Sequence, residues 1–184
     1  MVGLTGQLLV ATPALDDPNF RRTVVILLEH GDDGALGLVV NRPLHVDVSE
    51  VLPAWQPYTT DPGLLFQGGP VQVDSALGLV VVPGDGEEPV GVRRLIGSLG
   101  LVDLDAPPEV VAGAVAGLRI FAGYAGWSRG QLENEIQSGA WYVVDAESRD
   151  AFTGTPERLW RQVLRRQLGD LKLVSTYPDD PKMN

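Results

Sequence analysis

Short apolar runs separated by turn residues dominate the first half of the chain, and this pattern predicts β-strands. The first such run covers residues 7–11. Residues 23–28 are rich in β-branched side chains without polar alternation, so they are predicted to form a strand covered on both faces. Residues 36–40 have the same character and follow turn residues at 30–34. Residues 23–40 are therefore predicted to form a β-hairpin.

Further apolar runs extend the predicted sheet along the rest of the chain. They lie at residues 64–66, 77–82, 92–96, 119–124 and 140–144. Residues 44–63 are the least periodic part of the sequence. There Ser49 is predicted to cap one short helical turn, and the prolines that follow predict an irregular connection.

Three segments carry apolar residues at helical spacing together with helix start and stop signals. The first covers residues 108–118. The second covers residues 128–139, where Ser128 is predicted to be the N-cap of a capping box with Gln131. The third covers residues 155–169 and carries four arginines on the face opposite its apolar stripe. That arginine face is typical of a solvated helix surface, although it would also suit an acidic partner or nucleic acid.

The order of the elements indicates the fold class. Strands come first and helices mixed with strands follow, which favours an α+β fold over an alternating doubly wound one. A length of 184 residues fits one domain spanning residues 1–184. The turn-rich residues 176–184 are predicted to be a weakly ordered tail.

The charge of the chain argues against direct binding to nucleic acid. The formal net charge is −10, whereas contacts from Lys and Arg to phosphate dominate the affinity for nucleic acid. Of the basic residues, only Lys172 and Lys182 are lysines. Arginine side chains make planar, two-point contacts with carboxylates and phosphates, so an anionic ligand stays compatible with the composition.

Composition also narrows the possible chemistry and location. The sequence contains no cysteine and two histidines, which excludes disulfides, thiolate metal sites and histidine-rich metal sites, and we expect no cofactor and no metal. The N-terminus lacks the basic region of a signal peptide, and no apolar run approaches the length of a membrane span. We therefore expect a cytoplasmic protein without membrane contact.

Four groups of motifs, in order along residues 6–167, resemble those of the YqgE/AlgH family. They are GQLLVATP at 6–13 with DPNF at 17–20, Glu-His at 29–30 with GLVVNRP at 37–43, QGGPV at 67–71, and GYAGWSRGQLE at 123–133 with GAW at 139–141. The resemblance implies an α+β fold in which a forked, mixed or antiparallel sheet contains a small closed β-barrel flanked by helices. It implies no established activity, although one branch of the family is associated with transcriptional control of alginate production.

The chain departs from the family pattern at two places. A redox role suggested for the family rests on a cysteine before the Glu-His pair, and that position is Leu28 here. A thiol mechanism therefore does not transfer to this chain. The usual small residue and proline before the second helix are replaced by Ser128 and Arg129, which adds a positive charge beside the expected helix start.

Three segments are candidates for binding a small anion. Their candidate residues are Asn41, Arg42, Gly68, Gly69, Trp127, Ser128, Arg129 and Gln131. Arg42 has the geometry to clamp a carboxylate or phosphate, glycines allow the backbone to approach an anion, and the first amides of a helix attract one. The competing interpretations are structural: an ion pair for Arg42, a tight turn for the glycines, and packing at the helix entry.

One further cluster surrounds the first histidine. His30 together with Glu29, Asp32 and Asp33 has the side chains of a metal site or a proton shuttle. A polar turn between two strands is the simpler interpretation, because the spacing lacks the paired ligands of a helical metal site.

The sequence keeps three functions open, and it shows no catalytic constellation. We expect first a non-enzymatic binding or regulatory protein that contacts a protein partner or a small ligand. The alternative is an enzyme or sensor acting on an anionic small molecule, which requires Arg42, the glycines and the Ser128 segment to share one pocket. Direct DNA binding ranks last because of the net charge.

Overall fold

Ten strands join into one mostly antiparallel sheet in the computed structural model, which describes residues 3–84 and 86–179. The strands are β1 (Leu8–Ala11), β2 (Val24–Gly31), β3 (Gly34–Val39), β4 (Pro43–Asp47), β5 (Leu64–Gln67), β6 (Val71–Val81), β7 (Val92–Ile96), β8 (Leu99–Val102), β9 (Gly117–Ser128) and β10 (Trp141–Val144). Their spatial order is β10-β1-β2-β3-β9-β6-β8-β7, and β5 joins β4 to β9. The predicted hairpin is confirmed as β2 and β3.

Strand β9 forks the sheet because it changes partners along its length. Its C-terminal part pairs with β3, from Ala125 opposite Gly37 to Ser128 opposite Gly34. Its N-terminal part pairs antiparallel with β6 and, through Phe121, parallel with β5. Among the described residues, these pairings do not close into a ring. The mixed, mostly antiparallel sheet is therefore confirmed, whereas the small closed barrel implied by the resemblance is not.

Strand β2 is covered on both faces, as its unbroken apolar sequence predicts. Val24, Ile26 and Leu28 face a core that also contains the apolar side chains of the helix at residues 159–165. Val25 and Leu27 face a second core, which lies under the helix that follows β9. A residue period of two sends alternate side chains to opposite faces, so both helices pack on the same strand.

Within the described ranges, four α-helices accompany the sheet. They are α1 (Pro108–Ala112), α2 (Gln131–Gln137), α3 (Leu159–Arg165) and α4 (Asp170–Val174), and a 3-10 turn at Pro156–Arg158 precedes α3. The prediction of a helix over residues 108–118 is wrong beyond Ala112. Glycine lowers helix stability at Gly113, and the chain enters β9 at Gly117, where pairing with β6 decides the conformation.

The predicted helix start at Ser128 is also wrong. Ser128 is the last residue of β9, and α2 begins three residues later at Gln131. Gly130 makes the change of direction with a φ of 75°, a conformation that favours glycine. One half of the expected capping contact is kept, because Gln131 Oε1 accepts a hydrogen bond from the Ser128 backbone amide at 2.9 Å.

Two further predictions from the sequence concern membrane-spanning segments and the C-terminal tail. Among the described residues, no helix is both long and apolar enough to cross a bilayer. The predicted weak order of residues 176–184 falls partly on 180–184, which lie outside the described residues. Residues 176–179 are described, and Asp179 contacts Arg21 in the loop before β2 and Arg161 on α3.

Candidate functional site

His30 connects three segments at the end of β2. Its Nδ1 accepts a hydrogen bond from the Leu4 amide at 2.9 Å, and its Nε2 lies 2.5 Å from Glu133 Oε1 on α2. The His30 side chain is 1% exposed and that of Glu133 is 27% exposed. Because Nδ1 accepts, the proton on Nε2 donates to the carboxylate. This hydrogen bond lowers the pKa of Glu133, which favours the ionised carboxylate.

Both ring nitrogens of His30 are therefore committed to contacts within the protein. A proton shuttle needs one nitrogen free to reach a substrate, and in this arrangement neither is free. Across residues 3–84 and 86–179, no group of three or more His, Asp or Glu side chains is placed to hold a metal ion. The geometry makes His30 a structural connector between the N-terminal segment, β2 and α2.

An open cavity of about 440 Å³ lies at the end of the β2–β3 hairpin, and we call it the hairpin cavity. It is lined by Glu29, His30, Gly31, Asp32, Asp33, Gly34, Ala35, Leu36 and Trp127. Glu29, Asp32 and Asp33 are exposed, so three carboxylates lie at its rim. Its volume falls within the roughly 300–1,000 Å³ of small-molecule pockets.

The wall of the hairpin cavity is held by an aromatic cluster behind it. The rings of Trp127 and Trp141 meet edge-to-face at 6.1 Å, and Phe20 packs on both. Glu135 Oε1 accepts hydrogen bonds from the two indole nitrogens at 3.1 and 3.0 Å. Gln131 Nε2 donates to the other oxygen of Glu135 at 2.8 Å. Trp127 and Gln131 are thus fixed in place by α2.

The remaining candidates of this segment lie at the surface. Ser128 and Arg129 are exposed, and Ser128 pairs with Gly34, which lines the hairpin cavity. The segment that the sequence singled out at 127–131 therefore adjoins this cavity.

Asn41 and Arg42 bind the chain itself. Asn41 Oδ1 accepts from the Val24 amide at 3.0 Å, and its Nδ2 donates to the Arg22 carbonyl at 2.9 Å. The Arg42 guanidinium donates to the carbonyls of Pro18, Asn19 and Arg21 at 2.6–2.9 Å. Burial lowers the pKa of Arg42. Both side chains therefore fasten the loop between β1 and β2.

Gly68 and Gly69 let two backbone segments approach closely. A Cβ on Gly68 would lie 2.3 Å from the Gly123 carbonyl oxygen, and a Cβ on Gly69 would lie 2.2 Å from Tyr124 backbone atoms. The Gly68 amide donates to the Ala122 carbonyl at 2.9 Å. This packing fits the alternative interpretation of a tight turn against β9.

The side chains of the three candidate segments make separate contacts, although the backbones at Arg42 and Gly68 are neighbours, because the Gln67 amide donates to the Arg42 carbonyl at 2.8 Å. Residues 127–131 adjoin the hairpin cavity, Arg42 reaches residues 18–21, and Gly68 and Gly69 lie against residues 122–124. Their role in anion binding stays a prediction. The contacts favour structural roles for Asn41, Arg42 and the glycines, and a place beside a cavity for the 127–131 segment.

Sequence reasoning missed a buried ion pair. Arg166 donates to both carboxylate oxygens of Asp150 at 2.7 Å, and the Asp150 side chain is 3% exposed. These hydrogen bonds raise the pKa of Arg166. A second cavity of about 500 Å³ adjoins the pair and is also lined by Thr153 and Gln162. The two partners are 16 residues apart in different elements, so no spacing rule signals their contact.

Arg119 is a second buried charge that the sequence did not reveal. It lies in β9, and its guanidinium donates to the carbonyls of Ala151, Thr153 and Asp61 at 3.2, 2.9 and 2.6 Å. Its Cζ lies 4.4 Å from the centre of the Phe66 ring. Burial lowers its pKa to about 10, so it stays protonated at neutral pH. Arg119 fastens two loops to the middle of the sheet.

Comparison with known proteins gives relatives over almost the whole chain. A protein of Streptomyces coelicolor, UPF0301 protein SCO2948, is 62% identical over 98% of this chain and 95% of its own length. A UPF0301 protein of Mycobacterium tuberculosis is 48% identical over 97% of this chain and 90% of its own length.

Solved structures show the same fold. The crystal structure of protein DIP2367 from Corynebacterium diphtheriae matches with a TM-score of 0.88 and 34% identity, over 96% of this chain and 93% of that one. The solution structure of AlgH from Pseudomonas aeruginosa matches with a TM-score of 0.71 and 30% identity, over 96% and 95%. A sequence profile of the AlgH-like family matches residues 8–172. The chain therefore belongs to the AlgH-like family.

Proposed function

We propose that this chain is a non-enzymatic binding or regulatory protein, and that a basic group of a partner protein docks at the hairpin cavity. One observation carries the proposal: a preformed cavity of about 440 Å³ has three exposed carboxylates at its rim. A lysine or arginine side chain fits this site, because its charged end meets carboxylates while its aliphatic stem contacts apolar lining.

The charges at the rim favour a cation over an anion. Glu29, Asp32 and Asp33 have no ion-pair partner within the part of the chain that the structure describes. A site lined by one sign of charge raises the local concentration of the opposite charge and speeds association. The overall charge of −10 acts in the same direction.

The rigidity of the cavity supports recognition rather than catalysis. His30 lies in the lining with its side chain 1% exposed, and both of its ring nitrogens are occupied by Leu4 and Glu133. Trp127 also lines the cavity and is fixed through Glu135. A preorganised wall lowers the entropy cost of binding, whereas an imidazole held in this way has no nitrogen for proton transfer.

Calorimetric titration with a lysine tetrapeptide tests the proposal. We expect saturable binding that weakens with added salt and that falls at least fivefold in the double variant Asp32→Asn/Asp33→Asn. The matched control is Asp74→Asn/Glu157→Gln, which removes two exposed carboxylates that do not line the cavity. Equal loss in both double variants would reduce the effect to net charge and overturn the docking site.

The alternative of an enzyme or sensor for an anionic small molecule gives a different result. We expect a panel of phosphorylated and carboxylate metabolites to show no turnover, and clear turnover of any one would replace our proposal.

The cytoplasmic location expected from the sequence belongs to the same proposal, and cell fractionation tests it.

A further inference from the structure

The C-terminal segment crosses a group of three arginines, which we call the arginine cluster. Arg21 and Arg22 lie just before β2, and Arg161 lies on α3. Arg21 donates to the Asp179 carbonyl, and Arg22 donates to the Pro178 carbonyl. Arg161 Nη2 donates to Asp179 Oδ1 at 2.7 Å. In a chain with a net charge of −10, three guanidinium groups therefore converge on Pro178 and Asp179, two through backbone carbonyls and one through the Asp179 carboxylate.

The arginine cluster is built on a fixed aromatic ring. Trp160 Nε1 donates to the Ala11 carbonyl at 2.8 Å, which fixes the indole. The Cζ atoms of Arg22 and Arg161 lie 4.1 and 5.7 Å from its centre. Two cations beside one ring repel each other, and negative charge nearby offsets this repulsion. Asp179 is the residue that supplies this charge in the described part of the chain.

Arg22 combines a strained backbone with an unpaired buried nitrogen. Its φ is 59°, in the left-handed region that side chains other than glycine rarely adopt. Its Nη1 is buried and has no hydrogen-bond partner among the described residues. Backbone strain and unpaired buried donors both cost free energy, and they concentrate where a protein binds a ligand.

We propose that the arginine cluster is a binding site for a small molecule with at least two negative charges on phosphate or carboxylate groups, and that Asp179 covers the site until this anion binds. Guanidinium groups bind both kinds of anion through two parallel hydrogen bonds. The Asp179 side chain is 94% exposed, and exposed ion pairs are weak. A multiply charged anion that contacts all three arginines can therefore displace it.

Titration calorimetry with inorganic pyrophosphate and with citrate tests this inference on the full chain. We expect Asp179→Asn to bind its preferred anion at least threefold more tightly than the wild type, because the covering carboxylate is gone. We expect Arg161→Gln to bind it at least tenfold more weakly. Binding of pyrophosphate alone identifies a phosphate site, and binding of citrate alone identifies a carboxylate site.

Two further variants keep the outcome interpretable. Arg149→Gln removes an exposed arginine that pairs with Glu147 instead, so it should leave the affinity unchanged. Arg21→Gln changes an exposed member of the arginine cluster. It replaces Arg161→Gln as the test of weakened binding if Arg161→Gln unfolds at a lower temperature than the wild type. The inference is overturned if neither anion binds, if Asp179→Asn binds no more tightly, or if Arg149→Gln loses as much affinity as the cluster variants.

Discussion

The contact between His30 and Glu133 is predicted to stabilise the fold measurably. The test is a double-mutant cycle between His30→Asn and Glu133→Ala. Asparagine keeps an acceptor for the Leu4 amide, so the cycle isolates the bond between Nε2 and Glu133 Oε1 at 2.5 Å. A hydrogen bond to a charged group contributes about 1.5–3 kcal/mol. Because the Glu133 side chain is 27% exposed, we expect a coupling energy near the lower end, about 1.5 kcal/mol.

The pH dependence of this coupling follows from the pKa of Glu133. The hydrogen bond from His30 lowers that pKa in the folded state below its ordinary value of 4.5. The unfolded chain therefore takes up a proton at a higher pH than the folded protein. The stabilisation is present above pH 4.5 and is lost as the pH falls through the lowered pKa.

Urea unfolding of the four proteins in the cycle, followed by circular dichroism from pH 7 to pH 3, measures both effects. Asn134→Ala on the same helix is the control, because Asn134 is exposed, and its unfolding free energy should change by less than about 0.5 kcal/mol. A coupling energy below about 0.5 kcal/mol at pH 7, or one that does not decline at low pH, would refute the reasoning.

Three further predictions concern stability and are checked by the same urea titrations. Gly69→Ala places a Cβ 2.2 Å from backbone atoms of β9 and should cost more than about 3 kcal/mol, whereas Gly113→Ala, with its nearest atom at 3.8 Å, should change stability by less than about 1 kcal/mol. Equal effects would contradict the close packing. Arg119→Met removes hydrogen bonds to three backbone carbonyls and should cost about 2–4 kcal/mol; a neutral result would mean that the buried charge contributes nothing. Asp150→Asn breaks the two-point contact with Arg166 and should cost about 2–3 kcal/mol, since Arg166 is 24% exposed, and a stabilised variant would contradict this account.

Local pattern sufficed to predict the hairpin and the class of the fold. Val24 to Leu28 form an unbroken apolar run, and such a run is stable only when both faces are covered, which is what the cores on either side provide. The resemblance to a known family supplied the rest of the correct assignment, because no local rule links the four motif groups.

The predicted ends of strands and helices were wrong where pairing with a strand far away in the sequence decides the conformation. The sequence predicted a strand over residues 119–124 and a helix start at Ser128, whereas β9 runs from Gly117 to Ser128. Small residues and a capping signal favour a helix start locally, but pairing with β3 extends β9 as far as Ser128, opposite Gly34. Strand β4 lies where the sequence predicted an irregular connection, and it was missed for the same reason, because its pairing with β5 decides the conformation.

The contacts of the candidate residues could not be predicted because their partners are far away in sequence. His30 and Glu133 are 103 residues apart, and Arg42 reaches carbonyls more than 20 residues earlier. The sequence suggested anion binding from Arg42, from Gly68 and Gly69, and from the expected helix start at Ser128. The structure shows that backbone carbonyls already occupy the Arg42 guanidinium, while the unpaired charges at the cavity are negative.

The most direct test of the hairpin cavity as a binding surface is an amide and indole NMR titration of the ¹⁵N-labelled protein with the lysine tetrapeptide. We predict that saturable shifts centre on residues 29–36 and on the Trp127 indole, which line this cavity, and that they disappear in Asp32→Asn/Asp33→Asn. Shifts spread evenly over the acidic surface, or centred on another cavity, would contradict the account.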